Sequence, residues 1–175
     1  MKYCAFLRGV NVKGTAMKMA EVCQVFADEG MKQVSSVLAS GNILFSSDKT
    51  PGELTIILEK AMADHFNYEA FLFLRDDKEI KEMVESNPFE KSEEKHIYVF
   101  VTTAETEINL LEEFKKGRKD INEQAKVEGS TFYWQVPKGN TLDSDFGKIL
   151  GKKAFKSHIT SRNINTFEKI MKELS

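Results

Sequence analysis

Cysteine, histidine, proline and tryptophan are scarce in this chain of 175 residues, with two, three, three and one of each. The cysteines, Cys4 and Cys23, fall on a predicted strand and a predicted helix, and read as buried reduced thiols rather than a bridge. Cys4 has no base beside it in sequence to make it a nucleophile. The histidines His65, His96 and His158 stand far apart without cysteine or carboxylate neighbours at ligand spacing, so no metal site is expected. A Gly-x-Ser-x-Gly elbow and a His-Glu-x-x-His pair are both missing. No apolar run approaches the roughly 20 residues of a membrane span. Arg8 breaks the apolar opening MKYCAFLRG too early for a signal peptide, so the expected location is cytoplasmic. No cofactor is expected.

What remains is an ordinary globular composition, 41% hydrophobic and 30% charged, with a net charge of -2. That is enough apolar material for a real core, and the length suits one large domain or two small ones. Charge is uneven along the chain. Residues 1–75 balance at 8 basic and 8 acidic, residues 76–137 are net -6, and residues 138–175 are net +4. A dedicated nucleic-acid binder is usually basic over a whole domain, so complementary packing is the simpler reading.

The opening stretch organises the rest. Lys2 to Arg8 alternates as a strand. Gly9 and Gly14 bracket a loop, and Met19, Val22, Cys23 and Phe26 then mark one face of a helix that Gly30 would end. Val34 to Ala39 and Ile43 to Ser46 read as a hairpin around Ser40-Gly41-Asn42. Thr50-Pro51-Gly52-Glu53 is a capping box opening a helix with Leu54, Ile57, Leu58, Ala61 and Met62 inward. Tyr68 to Leu74 is an apolar strand. The order β-α-β-β-α-β is that of the ferredoxin-like plait.

Residues 76–89 read as a connecting helix capped by Asp76 or Asp77, and Glu90 to Lys95 as a linker. The pattern then repeats in topology. His96 to Thr102 is a strand, Ile108, Leu111 and Phe114 mark a helix, and Ala125 to Glu128 and Thr131 to Val136 form a hairpin at Gly129-Ser130. A helix at Asp143 to Lys153 and a short strand at Phe155 to Thr160 complete the set. A last helix is opened by a second capping box, with Asn165 as its cap. The expected fold is α+β, two tandem plaits with antiparallel sheets: residues 1–76, a connection over 77–95, and residues 96–175 with an extra C-terminal helix.

In the plait the first strand's exit and the turn after the second strand share one end of the sheet. Loop 9–15 and turn 40–42 are therefore expected to be neighbours. The loop joins a strand to a helix, where free backbone N–H groups and a positive dipole end favour an anion. Arg8, Lys13 and Lys18 add charge, although the spacing is neither a P-loop nor a dinucleotide fingerprint. The plainer alternative is that Gly9 and Gly14 only permit the turn. Ser40, Gly41 and Asn42 are equally well explained by turn chemistry. Thr160 to Thr166 places Arg162 and Asn163 before a helix N-terminus, again suited to an anion, with helix capping as the alternative. Aromatics on the strands (Tyr3, Phe6, Phe45, Tyr98 and Phe100) raise RNA stacking, but the third strand reads Asn-Ile-Leu-Phe-Ser and lacks the RNA-binding run. Tyr68 to Leu74 is apolar on both faces, which fits packing on the sister domain or a second copy.

The motifs AFLRGVNVKG, Met17-Lys18-Met19, LASGNILFSS, Asn87-Pro88-Phe89, the stretch with Trp134, Pro137 and Gly139, and Thr160 to Thr166 together resemble the bacterial DUF1697 family. Ile164 stands where that family more often has tryptophan. The resemblance implies two alpha-beta plait domains in a cytoplasmic bacterial protein and carries no activity with it.

The expected function is binding of a small anionic, phosphate-bearing ligand. The contacts would come from Arg8, Gly9, Asn11, Lys13, Ser40, Gly41, Asn42, Arg162 and Asn163. The alternatives are an enzyme at the same edge, or an adaptor for nucleic acid or protein, including self-association through an apolar sheet face.

Overall fold

The computed structural model describes residues 1–12, 15–117 and 121–175, with the backbone alone at residues 11, 12 and 15. In chain order its elements begin with β1 (Lys2–Arg8), β2 (Asn11–Val12), β3 (Thr15–Ala16), α1 (Met19–Asp28), β4 (Lys32–Ser36), β5 (Asn42–Ser46), α2 (Pro51–Phe66), β6 (Phe71–Asp76) and α3 (Asp77–Glu85). They continue with β7 (Lys95–Thr102), α4 (Thr106–Lys116), β8 (Gln124–Glu128), β9 (Thr131–Pro137), α5 (Asp145–Leu150), β10 (Ile159–Asn163) and α6 (Ile164–Leu174). This is a mixed α+β chain with two four-stranded antiparallel sheets, in the orders β4-β5-β1-β6 and β10-β7-β9-β8. Among the described residues, no helix is long and apolar enough to cross a membrane.

Contacts divide the chain into residues Met1–Lys81 with Lys169–Ser175, and residues Glu82–Glu168. This grouping sets the divide within α3. The last turns of α6 return to the first unit, where Lys2 donates from Nζ to the Leu174 carbonyl at 2.8 Å.

In the first unit the period of two along β1 turns Tyr3, Ala5 and Leu7 toward α1 and α2, where they meet Val22, Phe26, Leu54, Leu58 and Met62. The alternate residues Cys4 and Phe6 are also fully buried. Leu72, Phe73 and Leu74 on β6 are buried too. Apolar residues of the strand expected to pack on the sister domain or a second copy are thus buried in the single chain. The edge strand β4 is exposed, polar and bulged between Lys32 and Ser35, with Gln33 at φ 52°. An edge so interrupted is a poor template for further pairing.

The capping box of α2 forms as expected: Thr50 N donates to Glu53 Oε2 at 2.9 Å, and Glu53 N donates to Thr50 Oγ1 at 3.4 Å. A second reciprocal pair opens α3, with Glu79 N to Asp76 Oδ1 and Asp76 N to Glu79 Oε2, both 2.8 Å.

In the second unit Phe146 of α5 sits among Phe100, Phe114, Phe132 and Trp134, with ring centroids 5.1 to 6.4 Å apart. Two expectations fail here. The inward face of α4 is Leu110 and Phe114 with Leu111 packed beside them, while Ile108 is 53% exposed. The three-residue steps from 108 to 111 to 114 drift around the helix, whereas 110 and 114 stack one turn apart. At α6 the helix begins one residue before the expected cap. Asn163 Oδ1 accepts from Asn165 N at 3.0 Å, so Asn163 and not Asn165 is the capping side chain. Glu168, expected to close the box, instead meets Lys91 at 2.6 Å.

Candidate functional site

Gly9, at φ 80°, turns the chain out of β1, and Val10 tucks back to 6% exposure. Met17 N donates to the Val10 carbonyl at 3.3 Å, so the excursion through β2 and β3 closes on itself before α1. On the neighbouring strand, Phe6 stands opposite Asn42. One step further along, Leu7 N donates to the Gly41 carbonyl at 2.8 Å. A Cβ on Gly41 would lie 3.0 Å from both Leu7 Cβ and Val10 Cγ1. The bend leaving β1 and the turn before β5 are thus in direct contact, as strand order requires.

The turn is longer than its sequence signature. It runs from Val37 to Gly41, with Leu38 at φ 60° and Gly41 at φ 81°. Asn42 belongs to β5, is fully buried, and donates from Nδ2 to the Val37 carbonyl and to Ser40 Oγ, both at 2.9 Å. Val37 N donates in return to the Asn42 carbonyl at 2.9 Å. The Asn42 amide is committed to shaping this turn, while Ser40 is exposed on it. Arg8 is half-buried, and that burial lowers the pKa of its guanidinium. Lys13 and the Asn11 side chain lie outside the described residues.

Two groups beside this edge went unremarked in the sequence. Tyr68 comes closest to Gly9, its ring edge 3.9 Å from where a Cβ would stand. Its hydroxyl is buried with no hydrogen-bond partner among the described residues. Burial, and then the charge of Glu59, pushes the phenol up to about 12. Burial also raises the Glu59 carboxyl, although Glu59 Oε1 accepts from Leu72 N at 3.2 Å. An apolar-looking strand start concealed Tyr68, and a helical position concealed Glu59.

Arg162 and Asn163 belong to the second unit. The Arg162 guanidinium lies along its own strand, Nη1 donating to Thr160 Oγ1 and to the Ser161 carbonyl at 2.8 Å each. Asn163 bonds His96 Nδ1 at 3.1 Å. The other histidines serve locally, His65 with Glu21 at 2.9 Å and His158 with Thr103 at 3.1 Å. Among the described residues no three His, Cys, Asp or Glu side chains gather to hold a metal. Cys4 and Cys23 form no disulfide, and burial raises the Cys23 thiol despite a hydrogen bond with Ser36. The sheet aromatics Tyr3, Phe6, Phe45 and Phe100 are at most 2% exposed and offer no stacking platform.

Residues 1–133 match the family described as "Protein of unknown function (DUF1697)". The chain belongs to the DUF1697 family. The matched span of this DUF1697 protein includes the β1 bend and the turn before β5, and ends before Arg162 and Asn163. No curated protein matches the chain. Among solved structures, the conserved bacterial protein SP0830 from Streptococcus pneumoniae is similar over 99% of this chain and 97% of its own, at 25% identity and a TM-score of 0.79.

Proposed function

We propose that this protein is a binding module for a small anionic, phosphate-bearing ligand, held where loop 9–15 meets the turn at 40–42. The contact between the two bends carries this reading: Leu7 N to Gly41 O, with Val10 against Gly41. It brings the half-buried Arg8 and the backbone of Gly9 and Val10 to one sheet edge. Arg8, Gly9, Asn11, Lys13 and Ser40 are the contacts, and Gly41 and Asn42 hold the turn's shape. We further propose that both units are ferredoxin-like plaits. Each sheet places its fourth, first, third and second strands side by side in that order, with helices at the two crossovers. Two cysteines outside any disulfide fit the reducing bacterial cytoplasm.

An enzyme at the same edge has less support. Tyr68 is the side chain that a Cβ on Gly9 would meet, and a phenol near 12 stays a neutral donor at pH 7 rather than a base. The test is calorimetric titration with nucleotides and sugar phosphates. Replacing Arg8→Ala together with Lys13→Ala is expected to weaken the best ligand about tenfold or more, since charge-assisted contacts are lost. Unchanged affinity in that double variant overturns the site.

A further inference from the structure

At the far end of the second sheet, β7 begins where β9 and β10 end, because both neighbours run antiparallel to it. Lys95 faces Pro137 in this register, and Lys138 N donates to the Glu94 carbonyl at 2.9 Å. Lys95 and Lys138, 43 positions apart in the chain, therefore come to the same end of the sheet. Around them opens a cavity of about 100 Å³, also lined by Lys91, Ser92, His96 and Asn163. A volume of that size equals roughly three waters, room for one tetrahedral oxyanion. Among the described residues no carboxylate lines it. The ammonium groups of Lys95 and Lys138 have no ion-pair partner among the described residues. Lys91 holds Glu168 in a surface pair that solvent weakens.

The polar groups of this cavity are oriented. Asn165 N donates to Asn163 Oδ1, which leaves the Asn163 NH2 as donor toward His96 Nδ1. His96 Nδ1 is then an acceptor, and its ring proton resides on Nε2 as a donor. An anion held between Lys95 and Lys138 is attracted by both ammonium groups.

We propose that this cavity is a second anion site, separate from the β1 edge, that takes a phosphate group through Lys95, Lys138 and the Nε2–H of His96. Calorimetric titration of the full chain with inorganic phosphate at low ionic strength is expected to give saturable binding. Lys95→Ala with Lys138→Ala weakens it at least about tenfold, as loss of charged hydrogen bonds requires. Saturable binding persists in Arg8→Ala with Lys13→Ala, where the β1 edge has lost its charges, which separates this site from the one at the β1 edge. Methyl phosphate in place of inorganic phosphate distinguishes the two sources: tighter binding of the ester assigns the site to a phosphomonoester, tighter binding of the free ion to phosphate itself. Asn163→Ala, which frees the His96 ring while removing no charge, is expected to weaken phosphate by a smaller factor. Thermal melting verifies that each variant folds, and exposed or half-buried lysines make loss of fold no obstacle. Absence of saturable binding, equal affinity in the lysine double variant, or loss of binding in the Arg8 and Lys13 variant would each overturn the proposal.

Discussion

The two units thread their strands alike and fill the space between sheet and helices differently. In the first, aliphatic side chains from α1 and α2 (Val22, Leu54, Leu58 and Met62) dominate, with Phe26, Tyr3 and Phe45 as the main ring contacts. In the second, four rings converge on Phe146, and Trp134 is anchored by its Nε1–H to Glu123 at 2.9 Å. Strand order thus does not dictate core chemistry. Aliphatic layers fill by volume, while ring clusters add geometric demands worth about 0.5–1.5 kcal/mol per pair beyond area. The second unit should tolerate truncation less at its centre.

Phe146→Ala is the most severe way to break that comparison. It removes one ring from contact with four others, and a loss of about 3–5 kcal/mol is expected. Trp134 is the one tryptophan in the chain, so its fluorescence follows the second unit alone. Denaturation followed by fluorescence and by far-ultraviolet circular dichroism measures the effect. If the units unfold separately, the fluorescence midpoint falls while part of the dichroism transition stays in place. Coincident shifts in both signals would mean that the units unfold together.

The hairpin glycines give a second, smaller contrast. Gly41 and Gly129 both have positive φ, 81° and 58°. At Gly41 a Cβ would press on Leu7 and Val10 at 3.0 Å, while nothing lies within 4 Å at Gly129. Gly129→Ala is expected to cost only the left-handed backbone penalty, about 1–2 kcal/mol. Gly41→Ala adds overpacking of about 1–3 kcal/mol. Equal midpoint shifts in urea would show that the contact joining the two bends gives way without cost.

Much of this organisation was legible from local signals. The alternation of Lys2–Arg8, the Thr50 to Glu53 box and the Gly129 hairpin are short-range patterns, and each stands where it was read. Misreadings came where tertiary contacts set the outcome. Asn42 looked like a turn residue because it follows Gly41, but the sheet draws it into β5 and turns its amide inward. Asn163 capped α6 ahead of Asn165, since β10 runs straight into the helix with no intervening loop. Lys95, His96 and Lys138 carried no motif at all. Only the pairing of β7 with β9 brings them together, and register is invisible in a single sequence.

Helix starts extend the comparison at lower amplitude. The first unit's α2 is closed by a reciprocal box, whereas α5 in the second has a single bond from Gly147 N to Ser144 Oγ at 2.9 Å. Thr50→Ala is expected to cost about 1 kcal/mol, and Ser144→Ala no more than that. The Thr50 loss should also shrink in acid. The Thr50 backbone and hydroxyl hydrogen bonds lower the Glu53 carboxyl, so its contribution is present above the unfolded carboxylate pKa and is lost as pH falls through the folded value.

Glu59 reverses that sign and sharpens the contrast most finely. Burial raises its carboxyl, so the folded state holds the proton more tightly than the unfolded chain does. Its charged form therefore disfavours folding once pH rises through the carboxylate range, and the penalty is absent in acid. Glu59→Gln keeps an oxygen to accept from Leu72 N while removing the charge. Relative to the parent protein, the variant should gain stability as pH rises from 3 to 7 and lose that gain below the carboxylate range. It should also bring the Tyr68 phenol down from about 12, because the Glu59 charge is the second cause of that shift. Denaturant midpoints across pH, with ultraviolet titration of the phenolate, read both effects. A stability difference that stays flat with pH would mean that Glu59 reaches solvent freely, leaving burial alone to set Tyr68.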